Sequence, residues 1–564
     1  MTQLATGADR LVAALQAGGA RAIFGIPGTQ TVPLFEALRR SSLCTVLSTS
    51  ELGAAFMAGG WALVTGRPGV LVPIPGPGIT WALTGLAEAW LDSVPLLHIT
   101  GAPPDTAGRR FRQQELDQAA IVRPMVKAVL HARTADELAG LAREGLRLAC
   151  AGEPGPVVLE CSTAAMTAEA SSEDPFLHSS PPPVADLAEL SSRLRAARRP
   201  MLFVGQGVAH CGARFSRLAA ALGAPVVTTA AARGVLPEDD PLAMGFDGLR
   251  SDPSALNQLF QATDLVLVIG AKLGHNGTCG YQLQFPRDRL VHVDASSAVL
   301  EANYPASMAI RADADAVLDA LEAQDVRRSA WLPEELAGWR ERLRRQAAHL
   351  PEPRIGGGSA ATFFAGLRQA LPRDAILVLD SGLHQILARR HFEVLAPQGL
   401  LLPTDLQSMG FGIPTAVGAR LGQPGRPVVA LVGDGGFAMT GLELLTAVRE
   451  ELSLIAVVLV DGQLGQIRMQ QIRDYGATHA VALHNPDFSL LAAAIGATYS
   501  LVDEDIGPVV RDALARSGVT LIEVPVGDSP AMRRAATMAR VRQGGRRLFG
   551  PGVIRFLKRL LGRS

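Results

Sequence analysis

The chain repeats one unit many times: a short run of residues that is apolar throughout, then a stretch with helical spacing. The runs "RAIFGIPG", "GVLVPIPGPG", "PLLHITG" and "PVVLECS" come first. "PMLFVGQG", "APVVTT", "DLVLVIGA" and "RLVHVDAS" follow, then "AILVLDSG", "PVVALVGDG", "LIAVVLVDG" and "VTLIEVPV". A strand exposed on one face alternates apolar and polar residues; one covered on both faces does not. Strands of the second kind, alternating with helices, imply parallel sheets in an α/β fold. The expectation is three doubly wound parallel-sheet domains over residues 1–165, 186–325 and 359–530. The Ser/Pro-rich "AEASSEDPFLHSSPPPVAD" separates the first two, and a charged helical stretch with "PEPRIGGGS" separates the last two.

Length agrees, since 564 residues exceed what one core organises. Lys plus Arg equals Asp plus Glu at 53 each, which excludes a general electrostatic bias toward nucleic acid. Cys44, Cys150, Cys161, Cys211 and Cys279 are scattered without a CxxC pair, as expected of idle thiols in a reducing cytoplasm. The N-terminus carries Asp9 and lacks the apolar run of a signal peptide, and no window suits a membrane span. Residues 531–564 form a basic tail with nine arginines, one lysine and no acid. Its end, "GVIRFLKRLLGRS", leaves two readings open: an amphipathic helix lying on an anionic membrane surface or partner, or a solvated tail.

The stretch "ALVGDGGFAMTGLELLTAV" places Asp434 on a glycine turn where a strand becomes a helix. Ligands of open parallel sheets bind beyond the carboxyl ends of the strands, and glycines let the backbone approach them. A carboxylate there repels a phosphate unless a cation lies between. Mg2+ suits, because it binds one or two carboxylates together with phosphate oxygens. The next strand ends in Asp461-Gly462-Gln463, 27 residues after Asp434. The pair reads as a diphosphate–Mg2+ clamp; a plain strand-to-helix turn is the alternative.

From Val432 to Arg468 the chain resembles the thiamine-diphosphate motif, GDG followed 25 to 30 residues later by NN. "IFGIPGTQTVPLFEAL", "SELGAAFMAGGWALVTGRPGVLVPIPGPGITWALTGLAEAWLDSVPLLHITG", "FRQQELDQAAIVRPMVK" and "DLQSMGFGIPTAVGARLG" resemble, in order, further parts of the acetolactate synthase-like group. The resemblance implies pyrimidine-binding, middle and diphosphate-binding domains. It also implies a homodimer or homotetramer with thiamine diphosphate held between the first domain of one subunit and the third domain of another.

Residue by residue, it implies that Glu51 hydrogen-bonds the aminopyrimidine and drives activation of the cofactor, with burial keeping its carboxyl protonated. Gln114 matches the glutamine beside the reacting carbon, and Lys127 a lysine near the substrate channel. Gly28 matches a loop close to the cofactor, and Met409 the residue that props thiamine in its bent form. Mg2+ falls to Asp434, Asp461 and the backbone carbonyl of Gln463. Gln407, Gly433, Gly435, Gly436, Leu464 and Gly465 complete the expected cofactor contacts. Taken alone, Glu51 also reads as a helix N-terminal acid, Met409 as core and Lys127 as a surface lysine.

Three departures from the family pattern stand out. Val460-Asp461 replaces NN, which predicts a stronger demand for metal. Ser50 stands where a histidine often precedes the glutamate. Gln470 replaces the tryptophan of acetolactate synthases, while "LGQIR" is closer to the guanidino-oxopentanoate decarboxylase branch. Yet Met469, Gln470 and Gln471 stand where that branch has acids, and Arg468 and Arg473 favour a polar or anionic substrate. The expected reaction is decarboxylation of a 2-oxo acid with transfer of the acyl carbanion to a carbonyl acceptor. The alternatives are simple decarboxylation, a flavin-linked pyruvate oxidase-like enzyme with FAD on "FVGQG", and an idle scaffold subunit.

Overall fold

The computed structural model describes residues 5–102, 109, 111–171, 187–249, 251–323, 328–345 and 351–543. The amphipathic part of the tail and most of the Ser/Pro-rich linker lie outside them. Three sheets are present. The first contains β1 (Ala22–Gly25), β2 (Cys44–Leu47), β3 (Gly69–Val72), β4 (Leu96–Ala102), β5 (Ala128–Ala132) and β6 (Pro156–Ser162). Its order is β2-β1-β3-β4-β6-β5, all parallel. The second contains β7 (Pro200–Val204), β8 (Val226–Thr228), β9 (Leu265–Ile269), β10 (Leu290–Asp294) and β11 (Met308–Arg311), in the parallel order β11-β10-β9-β7-β8.

The third contains β12 (Arg354–Ile355), β13 (Gly358–Ser359), β14 (Ile376–Leu379), β15 (Leu400–Leu401), β16 (Val428–Gly433), β17 (Leu454–Val460), β18 (Thr498–Leu501) and β19 (Val519–Gly527). Its parallel part runs β15-β14-β16-β17-β19, with β18 also beside β19. That repeats the order of the first sheet. In both, the chain reverses its direction of travel across the sheet between the first and third strands, so each has a crevice at the carboxyl ends of that pair. One feature differs from the sequence reading. "RIGGGS" is not a spacer: β12 and β13 form a hairpin through Gly356 and Gly357, both at positive φ, and β12 adds antiparallel to β19.

The apolar runs behave as their composition requires. β1, β3, β7, β9, β10 and β14 are buried at every position. The first and third domains meet through helices Glu51–Thr65 and Gly412–Gly422, whose small residues permit backbone contact. A Cβ on Gly60 would lie 2.2 Å from the Thr415 carbonyl, and one on Gly418 would lie 1.9 Å from the Met57 carbonyl. Phe56 and Phe411 close this joint edge-to-face at 5.5 Å. In the second domain, Gly205 and Gly207 pack against Gly270, so the "FVGQG" glycines are used by strand-to-strand contact. Among the described residues, no helix is long and apolar enough to cross a membrane.

Candidate active site

The crevice of the third sheet opens into a cavity of about 270 Å3. Gln407, Met409, Gly433, Asp434, Gly435, Gly436, Asp461, Gln463, Leu464 and Gly465 all line it. Asp434 follows the buried strand β16, opens the helix Asp434–Thr440 and is itself 3% exposed. Its Oδ2 accepts the Gly462 N–H and the Asn485 amide, each at 2.8 Å, and its Oδ1 accepts the Gly435 N–H at 2.9 Å. Asp461 stands beyond the end of β17 and accepts the Gln463 N–H at 3.0 Å. Burial, and then the charge of Asp434, push the Asp461 carboxyl up to about 6. The glycines keep the wall open: a Cβ on Gly435 would meet Leu464 and Met409, and one on Gly465 would lie 2.3 Å from Asp461.

His384, on the helix Leu383–His391 after β14, also lines the cavity. It is 5% exposed, and its Nε2 has no hydrogen-bond partner among the described residues. Burial holds the imidazole down at about 4. Asp380, at the end of β14, accepts N–H groups from Ser381, Gly410 and Gly412, and so fixes the loop that carries Met409. Burial raises its carboxyl to about 7.

The crevice of the first sheet holds a second cluster. Glu51 opens the helix Glu51–Thr65 behind the N-cap Ser50 and is 6% exposed. Burial raises its carboxyl above the ordinary range. A Cβ on Gly78 would lie 2.8 Å from Glu51 Oε1, so a glycine in the first turn of helix Pro77–Leu91 is what admits the carboxyl. Ile74 fills the space between Gly78 and Gly28. Gln114, at φ +60°, abuts Gly76. Gln118 holds that turn: its Oε1 accepts the Gly76 N–H at 3.1 Å, and its amide donates to the Gly101 carbonyl and to Glu160.

The sequence matches the thiamine pyrophosphate enzyme family in three parts. The N-terminal TPP binding domain matches residues 5–121, the central domain 187–321 and the C-terminal TPP binding domain 380–524. The chain belongs to the thiamine pyrophosphate enzymes. Within this family it is 34% identical to a probable 2-ketoarginine decarboxylase of Pseudomonas aeruginosa, over 92% of this chain and 94% of that one. It is 32% identical to the acetolactate synthase isozyme 2 large subunit of Escherichia coli, over 87% and 89%. An acetolactate synthase large subunit of Mycobacterium tuberculosis is 31% identical, over 91% and 86%. This is a thiamine pyrophosphate-dependent enzyme acting on 2-oxo acids.

The third-domain cavity fits the cofactor's diphosphate. It offers two carboxylates for a divalent ion, a glycine wall and an orphaned buried imidazole nitrogen of the kind that bonds a phosphate oxygen. Glu51, Gly28 and Gln114 come together in the first crevice, and none of them lines the third-domain cavity.

Lys127 lies apart from the other predicted residues. It immediately precedes β5, at the amino end of the sheet, opposite the crevice. Its ammonium donates to the Ala151 and Glu153 carbonyls at 2.6 and 2.7 Å, which is a structural role. Asp528 holds the Arg468 guanidinium through two hydrogen bonds, and Arg473 pairs with its neighbour Asp474. Neither offers a free cation to an anionic substrate. Gln407, at φ +62°, donates its amide to the Pro403 and Thr404 carbonyls and shapes the Met409 loop. The sequence reading missed Asp380, His384 and Asn485. The strand-end turn "LDSGLH" carried the signal for the first two; Asn485 lies 51 residues from Asp434 with no local pattern.

Proposed function

We propose that this chain binds thiamine diphosphate through one Mg2+, decarboxylates a 2-oxo acid whose side chain is uncharged and passes the acyl unit to a carbonyl acceptor. Asp434, Asp461 and the Gln463 carbonyl would hold the metal, and His384 would bond the diphosphate. When bound, the cofactor supplies a nucleophilic carbon and an electron sink for decarboxylation. Glu51, whose carboxyl burial raises above the ordinary range, would hydrogen-bond the pyrimidine ring and orient it. The observation that carries this reading is the pair Asp434 and Asp461 beside the unpartnered His384 Nε2 in a glycine-walled cavity.

The choice of an uncharged donor rests on the acids around that cavity. Asp434 and Asp461 are assigned to metal, and Asp528 is engaged by Arg468, so no further carboxylate among the described lining residues faces a guanidinium. Simple decarboxylation of the kind named for the Pseudomonas relative is the second reading, favoured by that similarity.

The site is completed in a homodimer that sets the first domain of one protomer against the third domain of its partner. Exposed apolar side chains support this. Trp81, one turn beyond Gly78, is 63% exposed, and Met439 and Leu442, just after Asp434, are 59% and 55% exposed.

A panel of 2-oxo acids, with and without aldehyde or 2-oxo acid acceptors and with products identified by mass spectrometry, tests the proposal. Turnover of small uncharged acids with a ligated product supports it; turnover of a guanidino acid alone refutes it. A cavity of about 430 Å3 between the second domain and its neighbours, lined by Gly205, Gly270, Asp294 and Asp313 with Asp92 and Glu153 of the first domain, keeps a flavin-linked oxidase as a further alternative. A flavin absorbance band in the purified protein would favour that one.

A further inference from the structure

Glu443 lies nine residues beyond Asp434 in the same segment, yet its carboxylate enters the first domain. It is 1% exposed. Its Oε2 accepts the Thr49 N–H and the Thr446 hydroxyl, each at 3.0 Å. Its Oε1 accepts the Ser50 N–H at 3.0 Å and the Ser50 hydroxyl at 2.9 Å. Ser50 Oγ in turn accepts the Gly53 N–H at 3.0 Å, capping the helix that Glu51 opens. Gly53 is required for this approach, since a Cβ there would lie 1.9 Å from Glu443 Oε1. Four donors converge on one buried carboxylate, and three of them belong to the two residues immediately before Glu51.

We propose that Ser50 and Glu443 are positioning residues for Glu51. The third domain grips the backbone of residues 49 and 50, and the first turn of the helix then presents the Glu51 carboxyl against Gly78. The serine that stands where relatives often have histidine acquires a reason here: its hydroxyl donates to Glu443 and accepts from Gly53 at once. The inference rests on the role assigned to Glu51 under the proposed function.

The test compares wild type, Ser50→Ala, Glu443→Gln and the double variant, each with thiamine diphosphate and Mg2+. The measurements are kcat and KM for the acid that wild type turns over, cofactor Kd by calorimetry, and amide hydrogen exchange in the peptide spanning residues 48–54. Ser50→Ala should lower kcat about 10-fold and Glu443→Gln about 30- to 100-fold, with KM and cofactor Kd within about threefold. The double variant should resemble Glu443→Gln alone, because the two side chains act as one unit. Exchange at residues 49, 50 and 53 should quicken. Unchanged exchange, kcat within twofold of wild type, or a Kd that rises in step with the loss of kcat would each overturn the inference. If Glu443→Gln does not fold, Ser50→Ala decides, since it keeps the carboxylate and removes only the hydroxyl contacts. A wild-type protein inert toward every 2-oxo acid overturns instead the function on which the inference rests, whatever the exchange data give.

Discussion

Replacing Asp461 with Asn removes one of two neighbouring carboxylates while preserving shape and the acceptor for the Gln463 N–H. Without metal, the Asp461 carboxyl rises from 3.8 to about 6, first through burial and second through Asp434. Two units correspond to about 3 kcal/mol. Because the side chain is only half-buried, solvent screening reduces this to about 1–2 kcal/mol. The sign follows from a folded-state value above the unfolded one. The folded chain holds the proton more tightly, so stability is fully present below pH 4 and is lost as pH rises through about 6. The metal-free, cofactor-free Asp461→Asn variant should therefore melt about 1–2 °C above wild type at pH 7.5, since a chain of 564 residues spreads about 1–2 kcal/mol over a large unfolding entropy. The gap should close by pH 4. Mg2+ with thiamine diphosphate should reverse it, because only wild type then gains a second carboxylate ligand. Scanning calorimetry at the two pH values, with and without ligands, reads all of this. An apo variant no more stable than wild type at pH 7.5, or a gain that persists at pH 4, refutes the reasoning.

Three further outcomes are expected. Glu51→Gln should lower kcat by about 100-fold or more while the cofactor stays bound, as befits loss of a proton-transferring carboxyl; calorimetry and steady-state kinetics on one preparation check both halves. His384→Ala should weaken cofactor binding about tenfold; a binding titration at fixed Mg2+ decides. Lys127→Met should cost about 1–3 kcal/mol of stability through two unsatisfied carbonyls, yet leave kcat/KM within about threefold, and a large kinetic loss at unchanged stability would restore Lys127 to the site.

Much of the site was legible because it is written in strand ends. Gly433 to Gly436 and Asp461 to Gly465 follow directly from where a parallel sheet exposes its carboxyl edge. Glu51, Gly28 and Gln114 were legible through resemblance, and the first crevice gathers them. Lys127 entered through the resemblance alone, which does not record that it stands at the amino end of β5 with its ammonium on two backbone carbonyls. Arg468 misled because its partner, Asp528, lies 60 residues away. Asn485 and Glu443 were silent for the same reason: their contacts span 51 and about 393 residues.

The sequence by itself determined the class of fold, the three-sheet organisation and the chemical character of the cavity. Each of these depends on local pattern: buried strands must be apolar throughout, and a backbone that approaches a ligand must be glycine. The tertiary structure alone decided which charges are free and which are held. That depends on pairings across the chain, such as Asp528 with Arg468 and Glu443 with Ser50. No local pattern records them, because a hydrogen bond depends on position in space, and residues far apart in the chain become neighbours only when the sheets and domains pack.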